Sequence, residues 1–205
     1  MKPSSISEPA PATGKHYRSR ITLAERAQIA AQERTIGLEQ ARAHCNLARF
    51  ELGGNQFQLF RSGGFNDPEL VALVVSHLGS VFKGFSIGLF FTDNDGTTFV
   101  HAMVAAAGAI HSSSLYQPAK TALELFKLCF NIKEGRMEMS HIESKILGKG
   151  GQALIALYNI AREYGAKIIK YDVRAANRPA QCLYANLGFG TPNSWRNQWI
   201  VKIIP

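Results

Sequence analysis

Gly148, Lys149, Gly150 and Gly151 stand between a β-like run and an amphipathic run in ILGKGGQALIALYNI, residues 146–160. Glycine has no Cβ, so the backbone here can approach a ligand closely, and a helix start offers unpaired N–H groups and positive partial charge. The chemistry these residue types suggest is the holding of a phosphate. A P-loop needs GxxxxGK followed by Ser or Thr. Lys149 is followed by Gly150, and no glycine stands five residues before Gly148, so that reading fails. A dinucleotide fingerprint, G-x-G-x-x-A, fits Gly148, Gly150 and Ala153, with Asp172 at a suitable distance for a ribose contact. That fold needs several further βα units, and only about thirty residues follow Asp172. The third reading is a pyrophosphate held at a helix N-terminus in another fold, and the residues downstream decide between them.

Downstream lies NRPAQCLYANLGF, residues 177–189. Asn177, Ala180, Leu183, Tyr184, Gly188 and Phe189 match N-x-x-A-x-x-L-Y-x-x-x-G-F, one helix and one strand after the glycine loop. The pattern resembles the GNAT superfamily of acyl-coenzyme A-dependent N-acetyltransferases. The resemblance is specific over about residues 134–204, architectural over 55–133 and absent before 50. It departs from the family at Lys145, where Arg or Gln is usual, and at Leu147, where many members carry Arg. Contact with phosphate at such a loop comes mainly from backbone N–H groups, and Lys149 can supply charge.

The resemblance implies acetyl-CoA as cosubstrate, a primary amine of a small molecule or protein as acceptor, and no metal. Leu147, Gly148, Lys149, Gly150, Gly151 and Gln152 would hold the pyrophosphate. The strand before them, with Ser140, His141 and Ile142 nearest the thioester, would receive the pantetheine arm. Asn177 and Ala180 would approach the cosubstrate; Asn177 has an equal claim as a helix cap. Tyr184 matches the tyrosine whose hydroxyl reaches the cosubstrate sulfur as general acid, the other reading being a packing residue. For the base, Glu138, His141 and Glu143 lie on the right strand, and Glu138 is favoured. Strand alternation suggests Glu138 and Ser140 on one face, with His141 and Glu143 out of phase with each other. His44, His77, His101 and His111 have no metal-ligand spacing and read as structural.

These residues need elements to position them. Residues 1–20 are rich in Ser and Pro and read as a flexible tail. Residues 21–52 read as a helical arm: Thr22 and Glu25 have capping-box spacing, Gly37 breaks the pattern, and a second helix runs from about 38 to 50. Residues 53–205 form the acetyltransferase-like domain. Within it the patterns predict a strand over 55–60, a helix opened by Asp67 and Pro68 and ended by Gly79, and a hairpin turning at Asp95-Gly96. A helix over 121–130 and a strand over 136–143 follow. After the glycine loop come a helix ended by Gly165, a strand over 167–174, a helix over 178–188 and a strand over 198–204. The fold class is α/β with a mixed sheet, GNAT-like, carrying an N-terminal helical arm.

Composition bounds the remaining classes. The chain has 205 residues, 46% hydrophobic, enough for one full core. No apolar run reaches the ~18 residues of a membrane span, and no secretory signal precedes residue 15. Cys45, Cys129 and Cys182 form no CxxC pair and suit a reducing compartment, so a cytoplasmic location is expected. The net charge of +8 is scattered, which fits a solvated basic surface. It also admits a rival class, a nucleic-acid-binding or regulatory protein with a helix-turn-helix around Gly37. A secreted bacterial effector or toxin on the same fold is a further alternative, resting on the Ser/Pro-rich start. The sequence leaves the oligomeric state open, a dimer included.

Overall fold

The computed structural model describes residues 22–107, 124–172, 178–186 and 198–202. Among the described residues eight strands form one sheet whose spatial order is the chain order. They are β1 (Arg49–Leu52), β2 (Asn55–Ser62), β3 (Ser86–Asn94), β4 (Thr97–Ala105), β5 (Glu124–Lys133), β6 (Arg136–Ser144), β7 (Ile168–Asp172) and β8 (Gln198–Lys202). The helices are α1 (Leu23–His44), α2 (Pro68–Val81), α3 (Lys149–Glu163) and α4 (Arg178–Asn186). β2 and β3 are parallel and joined through α2; β6 and β7 are parallel and joined through α3. The other neighbours are antiparallel. This is the mixed α/β sheet expected from the sequence.

One sheet face carries the core. Ile87, Leu89 and Phe91 of β3, Val100, Ala102 and Val104 of β4, Phe126, Leu128 and Phe130 of β5, and Met137 and Met139 of β6 are buried together. α2 and α3 lie over them and over each other. α2 starts as its sequence dictates: Asp67 Oδ1 accepts from Leu70 N–H at 2.9 Å, and Pro68 occupies the first turn. Contacts between α2 and α3 are polar at the ends: His77 Nε2 meets Glu163 Oε2 at 3.0 Å, and Tyr164 O–H donates to Asp67 Oδ2 at 2.5 Å.

Three expectations about elements are corrected. α1 is one continuous helix through Gly37, and the segment after it is strand β1. Gly37 faces α2, where a Cβ would lie 3.5 Å from Ser76 Oγ, an ordinary contact, and it makes no turn. The turn that a helix-turn-helix needs is therefore absent. The second correction is at residues 121–130. Residues 121–123 lie outside the described residues, and from Glu124 the chain is strand β5. Phe126, Leu128, Phe130 and Ile132 are buried and alternate with Lys127, Cys129 and Asn131. A two-residue turn, Glu134-Gly135 with φ of 49° and 71°, then joins β5 to β6 as Asp95-Gly96 joins β3 to β4. Third, α2 passes Gly79 and ends at Val81. A Cβ at Gly79 would stand 3.0 Å from Phe57 Cζ, so this glycine admits the strand beneath.

Candidate active site

β6 is paired differently along its two edges. Toward β7 the pairing runs from Arg136↔Ile168 to Met139↔Tyr171, the last pair among the described residues. Toward β5 it continues to Ser144↔Phe126, and Lys145 N–H then donates to Leu125 O at 2.9 Å. Residues 140–144 thus have β5 on one edge and no strand on the other among the described residues. The register with β5 shifts at the same point. Cys129 faces His141 and Phe130 faces Met139, leaving Ser140 as the extra residue of a bulge. Bulges re-aim side chains and end pairing, and they concentrate beside active sites. Ser140 Oγ donates to Cys129 O at 3.3 Å, which ties down the bulged residue.

The bulge also resets the phase of the strand. Glu138 opposes Asn131, His141 opposes Cys129 and Glu143 opposes Lys127. These three β5 residues alternate with the buried Phe126, Leu128 and Phe130, so they share the sheet face away from the core. Glu138, His141 and Glu143 therefore share that face too. His141 and Glu143, expected out of phase, are two residues apart beyond the bulge, and their side chains approach to 3.8 Å at the exposed surface. Ile142 points to the opposite face and packs against the core. Plain alternation already puts His141 and Glu143 on one face; what the sequence pattern missed is the bulge, which leaves no compositional signal and brings Glu138 onto that face, since counting by twos across Ser140 gives the wrong side.

Beyond β6 the chain enters the glycine loop. Gly148 is the residue before α3, with φ 74°, and no side chain caps the helix. Lys149 N–H donates to Ile146 O at 3.2 Å, and Gln152 N–H to Gly148 O at 3.4 Å. The amides of Gly150 and Gly151, in the first turn, are of the class that has no partner within a helix. A Cβ at Gly148 would meet nothing within 4 Å, so open space lies over the loop. Leu147 is fully exposed at its tip. Gly151 serves packing: a Cβ there would lie 3.4 Å from Leu183 of α4. The Lys149 ammonium donates to Val81 O at 2.6 Å and Gln152 Oε1 at 3.0 Å, bracing α3 on the end of α2. That geometry gives Lys149 and Gln152 a scaffold role that the spacing did not reveal.

Tyr184 is brought to the same place from α4. Its ring lies 5.5 Å from that of Tyr171, the last β7 residue paired with β6 among the described residues. Tyr171 is itself buried, with its hydroxyl donating to Leu154 O at 3.2 Å. Tyr184 thus sits over the last described pair of β6 and β7, on the core face. Burial pushes its hydroxyl up to about 12, so it is protonated at neutral pH. Glu138 is on the other face, and its Oε1 accepts from Lys170 Nζ at 3.0 Å across β6 and β7. Tyr184 and Glu138 therefore lie on opposite faces of the sheet beside the last described β6–β7 pair. Ala180 lies in α4 two residues after its start, and Asn177 is outside the described residues.

The histidines have local partners: His44 Nδ1 meets Gln40 O at 2.7 Å, His77 meets Glu163, and His101 Nδ1 meets Cys129 Sγ at 3.3 Å. His111 lies outside the described residues. Among the described residues no group of three or more His, Cys, Asp or Glu is arranged to hold a metal ion, and no helix is long and apolar enough to cross a membrane.

No family model matches the chain, and no curated protein matches it. Solved structures do. The chain is similar to the ribosomal-protein-S18-alanine N-acetyltransferase of Escherichia coli, at 14% identity over 55% of this chain and 74% of that one, with a TM-score of 0.38. It is similar to a GNAT-family acetyltransferase of Chromobacterium violaceum at 14% identity, over 69% of this chain and 70% of that one, with a TM-score of 0.35. A GNAT-family acetyltransferase of Desulfovibrio desulfuricans matches at 14% identity, over 70% of this chain and 86% of that one, also at 0.35. At these scores the similarity carries no functional argument, which rests on the geometry of β6, the glycine loop and Tyr184.

Proposed function

We propose that the protein is an acyl-coenzyme A-dependent N-acyltransferase, moving an acetyl group from acetyl-CoA to a primary amine of a small molecule or protein. The observation that carries this reading is residues 140–144, unpaired on the β7 side among the described residues, running into the uncapped start of α3. A pantetheine arm carries two amides, each with one N–H and one C=O. A strand edge offers the same groups in alternation, so the arm can lie along β6 as an added strand. The pyrophosphate would then fall at the turn of Gly148 to Gly151, where the space over Gly148 is open and the helix N-terminus is positive. This order, strand edge and then helix start, also supports acyl-CoA over a dinucleotide.

The acyl carbonyl would come to the bulge. Those backbone N–H groups of residues 140–142 that point away from β5 would be the available donors to its oxygen as negative charge develops. On the core side Tyr184 would donate to the departing sulfur. On the other face, Glu138 would draw a proton from the incoming amine, directly or through water, while Lys170 holds the carboxylate in place. Amine and leaving group are thereby kept on opposite sides of the sheet.

Melting with acetyl-CoA, longer acyl-CoA species and NAD tests the cosubstrate class. Ligand at ~100 times its Kd stabilises a fold by about 2.7 kcal/mol, so acetyl-CoA is expected to raise the Tm by several degrees and NAD to leave it unchanged. A shift with NAD and none with acetyl-CoA would overturn the reading. Release of free CoA in the presence of an amine panel then identifies the acceptor.

A further inference from the structure

The two halves of α1 differ. From Gly37 onward the helix docks: Leu38 packs on the core, Ala41 and Cys45 are buried, and Arg42 pairs with Glu69 at 2.7 Å. From Ala24 to Ile36 every residue is exposed, Ile29 at 44% and Ile36 at 54%. A helical stretch of that length is marginal in water without packing on one face. Beside it lies a groove of about 640 Å³. Ala30, Glu33 and Arg34 form one wall, Ile155 of α3 stands on the other, and Ser76 and Gly79 of α2 line the floor. Ile155 is itself 48% exposed.

The exposed half carries ERAQIAAQER, residues 25–34. Glu-Arg occurs at both ends, and no opposite charge stands three or four residues from any of the four. Among the described residues none of them makes an ion pair; Glu25 accepts from Thr22, and Arg34 Nε donates to Ala30 O. At 3.6 residues per turn, Arg26, Ile29, Ala30, Glu33, Ile36 and Gly37 share an arc of about 120°. That arc includes the groove-facing Ala30, Glu33 and Gly37.

We propose that this segment pairs antiparallel with the same segment of a second copy of the chain, about a two-fold axis between Ile29 and Ala30, the second helix lying in the groove. The charge pattern selects that arrangement. Read in opposite directions about this axis, Glu25 faces the partner's Arg34, Arg26 faces the partner's Glu33, and Ile29 faces the partner's Ala30. The two-fold repeats each pair, so four opposite-charge pairs flank an apolar centre. A two-fold interface must be complementary to itself, and ERAQIAAQER is so only when reversed; parallel pairing in register would set like charge against like. Ion pairs at an exposed rim add little affinity, so they fix direction and register. The attraction comes from covering Ile29, Ile36 and Ile155, which are exposed in the single chain. The small floor residues Ser76 and Gly79 let a helix approach α2 closely. The proposal is independent of the acyl-CoA reading.

The test is sedimentation equilibrium of the full chain from about 1 to 100 µM, the range in which a dimer of micromolar Kd dissociates. Two variants accompany it, with circular dichroism to check their folding. Arg26→Glu with Arg34→Glu makes all four charged positions acidic, and Glu25→Lys with Glu33→Lys makes all four basic. A dimer is expected for the unaltered chain. Juxtaposed like charges should raise the dimer Kd of each variant alone by at least about 100-fold. An equimolar mixture of the two should dimerise again, each acidic helix pairing with a basic one. That recovery separates the proposed pairing from simple damage to α1, which mixing would not repair. A monomeric chain at the highest concentration, a dimer indifferent to both variants, or no recovery in the mixture would each overturn the proposal.

Discussion

Tyr184 carries the largest share of the residue-level chemistry, and its environment limits what it can do. Its hydroxyl is pushed up to about 12 by burial, against about 8.5 for an ordinary thiol. Complete proton transfer to a thiolate would be uphill by about 3–4 units, or roughly 5 kcal/mol. A hydrogen bond donated to the developing thiolate is the role that fits. Such bonds to charged groups are worth about 1.5–3 kcal/mol, so Tyr184→Phe should lower kcat by about 10- to 100-fold. The Kd for acetyl-CoA should be nearly unchanged, because the ring keeps its place over Tyr171; steady-state kinetics with calorimetry separates the two. Equal turnover in the variant would make Tyr184 a packing residue only. At the loop, a Cβ on Gly150 would meet Ser144 Cβ at 3.6 Å, an ordinary contact. Gly150→Val should therefore fold, by circular dichroism, and lose acetyl-CoA affinity because its side chain occupies the phosphate approach. Residue types and spacing made these two positions legible. They could not reveal that Lys149 reaches Val81, since that contact spans 68 residues of chain.

At the scale of elements, local chemistry predicted what local chemistry controls. The Asp67 cap, the Thr22–Glu25 capping box, the Asp95-Gly96 turn and the Gly165 helix end stand where the sequence indicated. The failures are Gly37, which α1 carries without a break, Gly79, set by the distant Phe57, and strand β5, whose apolar residues satisfy helical spacing as well as alternation. The bulge at Ser140 was the most consequential omission, because it gathers Glu138, His141 and Glu143 on one face. Two glycine substitutions test this architecture. Gly148→Ala forces a side chain to φ 74° but meets nothing, so it should cost about 1–3 kcal/mol of strain and lower the Tm modestly. Gly63→Ala combines φ 64° with a Cβ 2.1 Å from Asp93 O. Strain and a backbone clash together should cost about 3–5 kcal/mol by urea unfolding. Similar midpoints for the two variants would contradict the close approach of Gly63 to the β3–β4 turn.

The whole molecule is a single sheet with its helices, among the described residues, on one face. Tyr164, Tyr171 and Tyr184 all have their hydroxyls raised by burial, Tyr164 also by Asp67. Because these values lie above that of an unfolded tyrosine, near 10, the protonated phenols stabilise the fold fully below about pH 10. That stability is lost as pH rises toward and beyond 12. Alkaline titration should show tyrosinate absorbance appearing together with loss of ellipticity; ionisation of all six tyrosines before unfolding would contradict their burial. The central claim, that acyl-CoA lies along the free edge of β6 and ends on the start of α3, is tested most directly by amide hydrogen exchange with and without acetyl-CoA. Slowed exchange concentrated at residues 140–144 and 148–152 is the expected result. Unchanged exchange there, or protection confined to α1 and β1, would contradict it.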